Sequence, residues 1–441
     1  MGKTLISLTT AQHCINHSNT LQVVIVCPKP AVSSFKKELT KKLEQPYSIY
    51  TATEYNIVDD ARYHIFCYSK LSYLEEWIEQ NKDKPKLLII DEVHKMNSSK
   101  TKTYKTLAAM RKDFNVVIGL TATPLMNEIS ELYYVINFIK PGFLGTRKKF
   151  EEDYLIQKLE TKYFYGKKIK QKVIVGYKNL EHLTERLKAI MIGGQKTYNL
   201  DFQYRSIGLT ENEGANYNKC AKGLMNEVFE TKTASARLID LQYVLDGCHP
   251  EFPQASLVSK EKLLITVIKE ILDRNESVLI YVGFINTLNR LKSMLNAASN
   301  ILKFTNVFEI TGSVKLEERV KLENELPRGS IVLMTSAGTA SINLQKANNI
   351  IVYDTPWSLG DLLQLIGRIT RIDTKYDTQH IYFLEVEGTI DTYKRKTIES
   401  KVGLIQSIFG KQENLPDIPD EPIDLKELRK YLLWRRGKKQ T

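Results

Sequence analysis

Two adjacent carboxylates, Asp91 and Glu92, close an apolar run in the segment LLIIDEVH at 87–94. A strand ending in such a pair can hold a divalent cation with the first carboxylate and polarise an attacking water with the second. A capped, solvated strand end is the plain alternative, but the whole octapeptide is more specific than that. The chain opens MGKT, and Gly2, Lys3 and Thr4 match the last part of a phosphate-binding loop, G-x-x-x-x-G-K-[ST]. In such a loop the lysine reaches the β- and γ-phosphates and the hydroxyl joins a Mg²⁺ shell. Alone, the three residues read more readily as an accidental tripeptide. Thr121 and Thr123, in IGLTATP at 118–124, end another apolar run, where hydroxyls can link the carboxylate pair to a neighbouring element. Gln364, Arg368 and Arg371 lie in QLIGRITR at 364–371. Arginines three apart share one face of a helix. There they can neutralise charge on a γ-phosphate, or serve as a basic face paired with carboxylates.

These side chains need strands to hold them. Val23–Val26, Tyr63–Tyr68, Leu87–Ile90 and Val116–Leu120 are short, apolar and largely β-branched or aromatic, as buried parallel strands are. Helical patterns such as Val32–Leu43 lie between them. The order βαβα implies a parallel sheet covered on both faces. The same alternation resumes near Ser259, with strands expected at Ser277–Val282, Val307–Ile310, Ile331–Met334, Ile350–Tyr353 and His380–Leu384. The expected organisation is a first α/β domain over 1–142, an insertion and connector over 143–255, a second α/β domain over 256–410, and a Pro-rich linker with a basic C-terminal helix over 411–441. The connector reads as mostly helical (Leu180–Met191, Glu211–Glu230), contains the last strand of the first domain, and carries a basic hairpin with Gly166 at its turn. The hairpin segment Lys162–Lys172 suits a wedge, a DNA contact or a solvated hairpin. The leucines of the terminal helix suit packing against the rest of the chain, and its basic residues suit DNA.

The 441 residues suit two domains rather than one core. Hydrophobic residues at 42% and charged residues at 26% are the balance of a globular protein. A formal net charge of +12 makes a polyanion, nucleic acid first, the expected partner, with plain solubility as the alternative. Five cysteines without a C-x-x-C pair exclude a disulfide framework or zinc site as an expectation and point to a reducing interior. No apolar run is long enough for a membrane span. Gln12 and His13 interrupt what a signal peptide would need, and Ile6 stands where a myristoylation signal wants Ser or Thr.

Taken together, the segments resemble the superfamily-two helicases, and within them the Swi/Snf-like branch. Gly2-Lys3-Thr4 resembles the tail of motif I. VVIVCPK at 23–29 is similar to motif Ia, IFCYSK at 65–70 to motif Ib, and DEVH at 91–94 to motif II. TATPLMN at 121–127, extended through Glu131, Leu132, Asn137, Phe138 and Pro141, resembles motif III of this branch. SVLIYV at 277–282 is similar to motif IV, TSAG at 335–338 through Asn348 to motif V, and DTPW at 354–357 with 364–371 to motif VI. The resemblance spans nearly residues 2–400.

It implies two RecA-like parallel-sheet domains in tandem, with ATP and Mg²⁺ as cofactors and DNA as partner. Lys3 and Thr4 would bind phosphate and metal, Asp91 the metal, and Glu92 the water. Arg368 and Arg371 would reach the nucleotide from the second domain, with Gln364 nearby. Lys29, Ser69, Lys70, Ser336 and Gly338 would face the nucleic-acid backbone, and Thr121 and Thr123 would couple the two events. The expected activity is ATP-dependent movement on DNA in replication, recombination or repair. The expected location is the cytoplasm or nucleoid, or the host cytoplasm if phage-encoded, since the compactness resembles phage-encoded helicases and small fork-remodelling translocases. Departures exist. The first half of motif I and the adenine-reading segment would lie upstream of Met1, and the connector reads IGGQK at 192–196 where many relatives carry an Arg-Arg-x-Lys cluster. An RNA helicase, and a non-hydrolysing DNA-binding remnant with a truncated phosphate loop, are the alternatives.

Overall fold

The computed structural model describes residues 2–121, 128–164, 167–193, 199–225, 234–254, 256–314, 316–339, 344–370, 374–409 and 431. The chain divides into two compact units. The first comprises Met1–Ile156 with Gly176–Asn179, and the second Gln157–Val175 with Leu180–Thr441.

In the first unit the elements run α1 (Lys3–Asn16), β1 (Gln22–Cys27), α2 (Val32–Glu38), β2 (Tyr47–Tyr50), β3 (Tyr55–Asn56), β4 (Tyr63–Cys67), α3 (Leu71–Gln80), β5 (Lys86–Asp91), α4 (Lys102–Met110), β6 (Val116–Leu120), α5 (Ile129–Ile139) and α6 (Arg147–Tyr154). Six strands form one sheet in the order β3-β2-β4-β1-β5-β6, parallel except where β2 meets β3. The period of two along each strand sorts side chains onto two faces. Val23, Ile25, Ile65, Leu87 and Ile89 meet Leu8, Ala11 and Ile15 of α1 with Phe35 of α2. Val24, Val26, Phe66, Leu88 and Ile90 meet α3, α4 and α5 through Leu74, Trp77, Leu107 and Phe138. Both faces are therefore apolar and covered, the burial a parallel sheet requires. In β6 only Leu120 is fully buried, as befits the strand at the sheet's edge.

A ribbon of β7 (Leu155–Phe164) and β8 (Lys167–Tyr177) follows as its own two-stranded sheet. The second unit continues with α7 (Leu180–Lys188), β9 (Asn199–Ile207), α8 (Glu211–Met225), α9 (Ala234–Leu245), α10 (Ser259–Leu272), β10 (Val278–Val282), α11 (Ile285–Ala297), α12 (Ser299–Leu302), β11 (Val307–Ile310), α13 (Leu316–Glu325), β12 (Ile331–Thr335), α14 (Ser336–Thr339), β13 (Asn349–Val352), α15 (Leu359–Ile366), β14 (Thr378–Val386) and α16 (Ile390–Phe409). Its sheet has the order β11-β12-β10-β13-β14-β9, with parallel pairing between neighbouring strands. The fold is α/β with two parallel-dominated sheets in tandem. One difference from the sequence reading is topological. The connector was expected to contain the last strand of the first domain; its strand β9 instead pairs along its whole length with β14 of the second sheet. None of its residues is fully buried, which suits a sheet edge and says nothing of which sheet.

The second unit is locked by a buried charge network. The Lys260 ammonium lies 2.9 Å from Asp391, 3.2 Å from Asp354 and 3.6 Å from Asp246, with all four side chains at most 2% exposed. Gln242 donates to Asp354 and Asp391 and accepts from Lys394 at 2.7 Å. Thr287 donates to Asp246, and the backbone N–H of Gly283 to Asp354. Burial, then the Asp354 charge, push the Asp246 carboxyl up to about 8. Burial pushes the Lys394 pKa down; while that ammonium stays charged and Asp246 holds its proton, two carboxylates face two ammonium groups and the cluster is neutral, the least costly state for buried charge. Asp246 thus has a higher pKa folded than unfolded, so its contribution to stability is complete below about pH 4 and is lost as pH rises through about 8. Asp246→Asn is expected to flatten the fall in thermal stability between pH 6 and 9, whereas Lys260→Met lowers stability by about 3 kcal/mol or more by leaving the carboxylates unmatched. Melting curves across that pH range check both.

Candidate active site

Strand register decides where the chemistry-bearing residues emerge. Cys27 of β1 stands beside Cys67 of β4, Val26 beside Ile90 of β5, and Asp91 beside Leu120 of β6. The strand ends are level, so the residues that follow them leave from one carboxyl edge, the edge at which open α/β sheets bind ligands. Lys29 follows β1 in a 3₁₀ turn and is exposed. Ser69 and Lys70 follow β4 in another, with Ser69 exposed and Lys70 packed over the Tyr73 ring. Asp91 and Glu92 follow β5, and Thr121 follows β6.

At the centre of that edge the backbone bends sharply. Glu92 adopts φ 56°, a left-handed conformation that costs a non-glycine residue on the order of 1 kcal/mol. The turn sends the chain into a 3₁₀ segment, Val93–Met96, and brings buried His94 back over the carboxylates. His94 Nδ1 lies 3.2 Å from a Glu92 carboxylate oxygen and 3.1 Å from the Thr121 hydroxyl. One imidazole therefore joins the end of β5 to the end of β6. Gly119 makes this close packing possible, because a Cβ there would come within 2.7 Å of Ile139 and 3.0 Å of Val93. Tyr68 donates its hydroxyl to the Asp91 carbonyl at 2.7 Å, which fixes the strand end from the β4 side.

The electrostatics are unbalanced. Burial, and then the Glu92 charge, push the Asp91 carboxyl up to about 6, while Lys3 and His94 pull it down. The Lys3 ammonium, on the first turn of α1, thus acts on the same carboxylate. Gly2 caps this helix without a side-chain bond, and the Gly2 carbonyl accepts from Ile6. Thr4 is half-buried, and its carbonyl accepts from Ser7. A half-buried carboxylate short of positive charge, beside a hydroxyl oxygen, fits a divalent cation. Asp91 and the Thr4 hydroxyl are the residues that would hold Mg²⁺, which would supply charge neutralisation of a triphosphate.

The second unit repeats the level strand ends, with Val282 beside Thr335 and Ile310 beside Met334. A shallow depression of about 380 Å³ opens there, lined by Gly283, Thr311, Gly312, Ser313, Thr335 and Ser336 among others. Ser336 is exposed, and Gly338 is buried so tightly that a Cβ would lie 2.0 Å from the Ile310 carbonyl oxygen. Gln364 sits half-buried on α15. Helix α15 ends at Ile366 with Gly367 as its cap, so Arg368 lies in the turn beyond it and not on the shared helix face expected. The Arg368 carbonyl accepts from the Leu344 N–H at 2.9 Å. Arg371 and Thr123 lie outside the described residues. A larger cavity of about 670 Å³ opens near the amino ends of β1, β4 and β5, beside Thr20, Arg62 and Lys84, remote from the carboxylate pair.

A family model described as the SNF2-related domain matches residues 1–237, and one described as the helicase conserved C-terminal domain matches residues 260–373. The chain belongs to the SNF2-related family. This SNF2-related chain is 27% identical over 367 residues to the "Uncharacterized ATP-dependent helicase YqhH" of Bacillus subtilis, covering 75% of this chain and 60% of that protein. It is 23% identical over 438 residues to the "DNA repair and recombination protein RDH54" of Saccharomyces cerevisiae, covering 89% of this chain and 45% of that protein. The chain therefore spans about half to three-fifths of the length of these relatives. It is also similar to the Sulfolobus solfataricus SWI2/SNF2 ATPase core in complex with dsDNA, at 20% identity and a TM-score of 0.40, covering 98% of this chain and 90% of that one. No helix among the described residues is long and apolar enough to cross a membrane.

Within the SNF2-related chain, His94 and Tyr68 are the site residues that sequence reasoning did not single out as such. His94 was within reach, since it closes the DEVH segment; the Tyr68 contact is tertiary. The raised Asp91 pKa carries a sign. Its folded value lies above the unfolded one, so the stability it contributes is present below about pH 4 and lost as pH rises through about 6. Asp91→Asn is expected to stabilise the nucleotide-free, metal-free protein at pH 8 by on the order of 1–3 kcal/mol while leaving it unchanged near pH 3.5. Calorimetry at the two pH values decides, and a destabilised variant at pH 8 contradicts the electrostatic account.

Proposed function

We propose that this chain is the motor of an ATP-driven DNA helicase or translocase. The observation that carries the reading is the Asp91–Glu92 pair at the carboxyl edge of a parallel sheet, under the charge of Lys3 and tied through His94 to Thr121. Lys3 holds phosphate. Asp91 and Thr4 supply oxygens for the metal. Glu92, whose carboxylate is positioned by His94, orients the attacking water. Gln364, Arg368 and Arg371 are assigned to the charge that develops on the γ-phosphate. Because His94 meets both Glu92 and Thr121, a shift at the carboxylates is felt at the end of β6, a short route for coupling hydrolysis to movement.

Nucleic acid is assigned to Lys29, Ser69 and Lys70 in the first unit and to Ser336, Gly338 and the hydroxyl-lined depression in the second. Hydroxyls, backbone amides and lysines recognise phosphates and not base edges, so the reading calls for little dependence on sequence. DNA in preference to RNA is supported by the yeast relative, named a DNA repair and recombination protein.

The test is ATP turnover with duplex, single-stranded and branched DNA and with RNA. DNA is expected to stimulate turnover more than RNA. Glu92→Gln is expected to lower kcat at least about 100-fold with little change in KM, the signature of an interaction made in the transition state. Thr121→Val is expected to leave DNA-free turnover within about threefold and to reduce DNA stimulation. Equal turnover by Glu92→Gln and wild type would sink the motor assignment, and stronger stimulation by RNA would favour an RNA helicase.

A further inference from the structure

We infer that the cavity of about 670 Å³ at the amino ends of β1, β4 and β5 is a binding site for an uncharged nucleoside, whose flat base lies against aromatic rings and donates an N–H to His64 Nδ1. The cavity belongs wholly to the first unit. It lies at the other end of the sheet from the carboxylate pair: Gln22, which begins β1, lines it, whereas Asp91 ends β5.

The inner wall holds a bare acceptor. His64 lines the cavity and is only 6% exposed. Its Nε2 lies 2.9 Å from Gln22 Oε1. Gln22 Nε2 donates to the Thr20 carbonyl at 3.3 Å, which orients the amide so that Oε1 is the atom that must accept. The imidazole proton therefore sits on Nε2, and Nδ1 keeps its lone pair. Among the described residues no hydrogen-bond partner reaches Nδ1. Burial, then the Lys84 charge, push the His64 imidazole down to about 4, so the ring is neutral at pH 7 and Nδ1 stays an acceptor. Buried polar atoms in native proteins are nearly all paired, and this one calls for a donor.

The remaining walls describe what carries that donor. Tyr50, Tyr55, Tyr73 and Trp77 line the cavity. Ring centroids lie 5.5 Å apart from Tyr50 to Tyr55, 5.7 Å from Tyr55 to Tyr73 and 4.5 Å from His64 to Trp77. Tyr55 is 61% exposed, so part of this aromatic wall stands in water. Such rings take the flat face of any base. The volume falls in the range of small-molecule pockets. Three carboxylates, Asp59, Asp60 and Glu76, line the cavity against two cations, Arg62 and Lys84. Arg62 already donates to the Ser18 carbonyl at 3.4 Å. That balance has no attraction for a phosphate chain. Carboxylates do accept from sugar hydroxyls, as an acidic residue does in dinucleotide-binding folds. A planar N–H donor joined to hydroxyls and free of negative charge is a nucleoside. Rings that only sealed the sheet edge would need neither a bare acceptor behind them nor a tyrosine left in water.

The test is isothermal titration calorimetry of the full chain with adenosine, guanosine, cytidine and uridine. At least one is expected to bind with a Kd on the order of 0.1–1 mM. His64→Phe, which keeps a ring and removes the acceptor, is expected to weaken that binding at least about 10-fold. Tyr55→Ala is expected to weaken it at least about fivefold and, at an exposed position, keeps the test available if His64→Phe does not fold. Lys3→Ala is expected to leave it unchanged, which separates this cavity from the phosphate loop. The matching nucleoside monophosphate is expected to bind no more tightly than the nucleoside. Absence of binding by all four nucleosides, or binding that Tyr55→Ala leaves unchanged, overturns the site. A monophosphate bound more tightly than its nucleoside, and weakened by Tyr55→Ala, overturns the uncharged class of ligand. Each of these failures leaves the motor reading intact.

Discussion

Asp91 and Glu92 are neighbours in sequence, negative, and largely withdrawn from water. Two such charges repel strongly in a protein interior, and the first unit is arranged around that repulsion. The left-handed backbone at Glu92 turns the second side chain away from the line of β5. His94 and Thr121 then hold it in the new direction, and Lys3 supplies partial compensation from α1. What remains uncompensated is held on Asp91 as a raised affinity for a proton, which is also an affinity for any other cation that fits. The level strand ends, the small residue at Gly119 and the Tyr68 anchor all keep this charged corner in one geometry.

The second unit treats buried charge in the opposite way. Around Lys260, three aspartates, a second lysine and Gln242 satisfy one another, and a retained proton on Asp246 closes the balance. Nothing there is left for a ligand. The network instead fixes the ends of α9, α10, β13 and α16, and through Asp354 and Lys394 the segment bearing Trp357, whose ring lies 5.2 Å from the Lys394 ammonium. One unit keeps charge in reserve for a partner and the other consumes it internally.

The parts of this structure legible in the sequence were those with local signals. Strands such as Leu87–Ile90 and Ile331–Met334 announce themselves as apolar runs between helical patterns. The carboxylate pair was legible because it terminates such a run. Tyr47–Tyr50 and Asn199–Ile207 were not assigned as particular strands, since the first is four residues of mixed polar and aromatic character and the second, at a sheet edge, is interspersed with polar residues, so neither gives an apolar run to see. The sheet that Asn199–Ile207 joins is decided by β14, some 180 positions away. The helix over Gln364–Arg371 was extended too far because Gly367 reads equally as an interior residue and as a stop. The Lys260 network was invisible for a different reason: each member is an ordinary surface residue until the fold brings the others to it.

That network also sets an order for synthesis. Lys260 and Gln242 leave the ribosome long before their partners Asp354, Asp391 and Lys394, the last separated from Gln242 by 152 positions. Until residue 394 has emerged, an ammonium and an amide destined for the interior have only water to satisfy them, so α9 and α10 cannot dock permanently on the sheet. The second unit therefore has no stable half-built form until residue 394 has emerged.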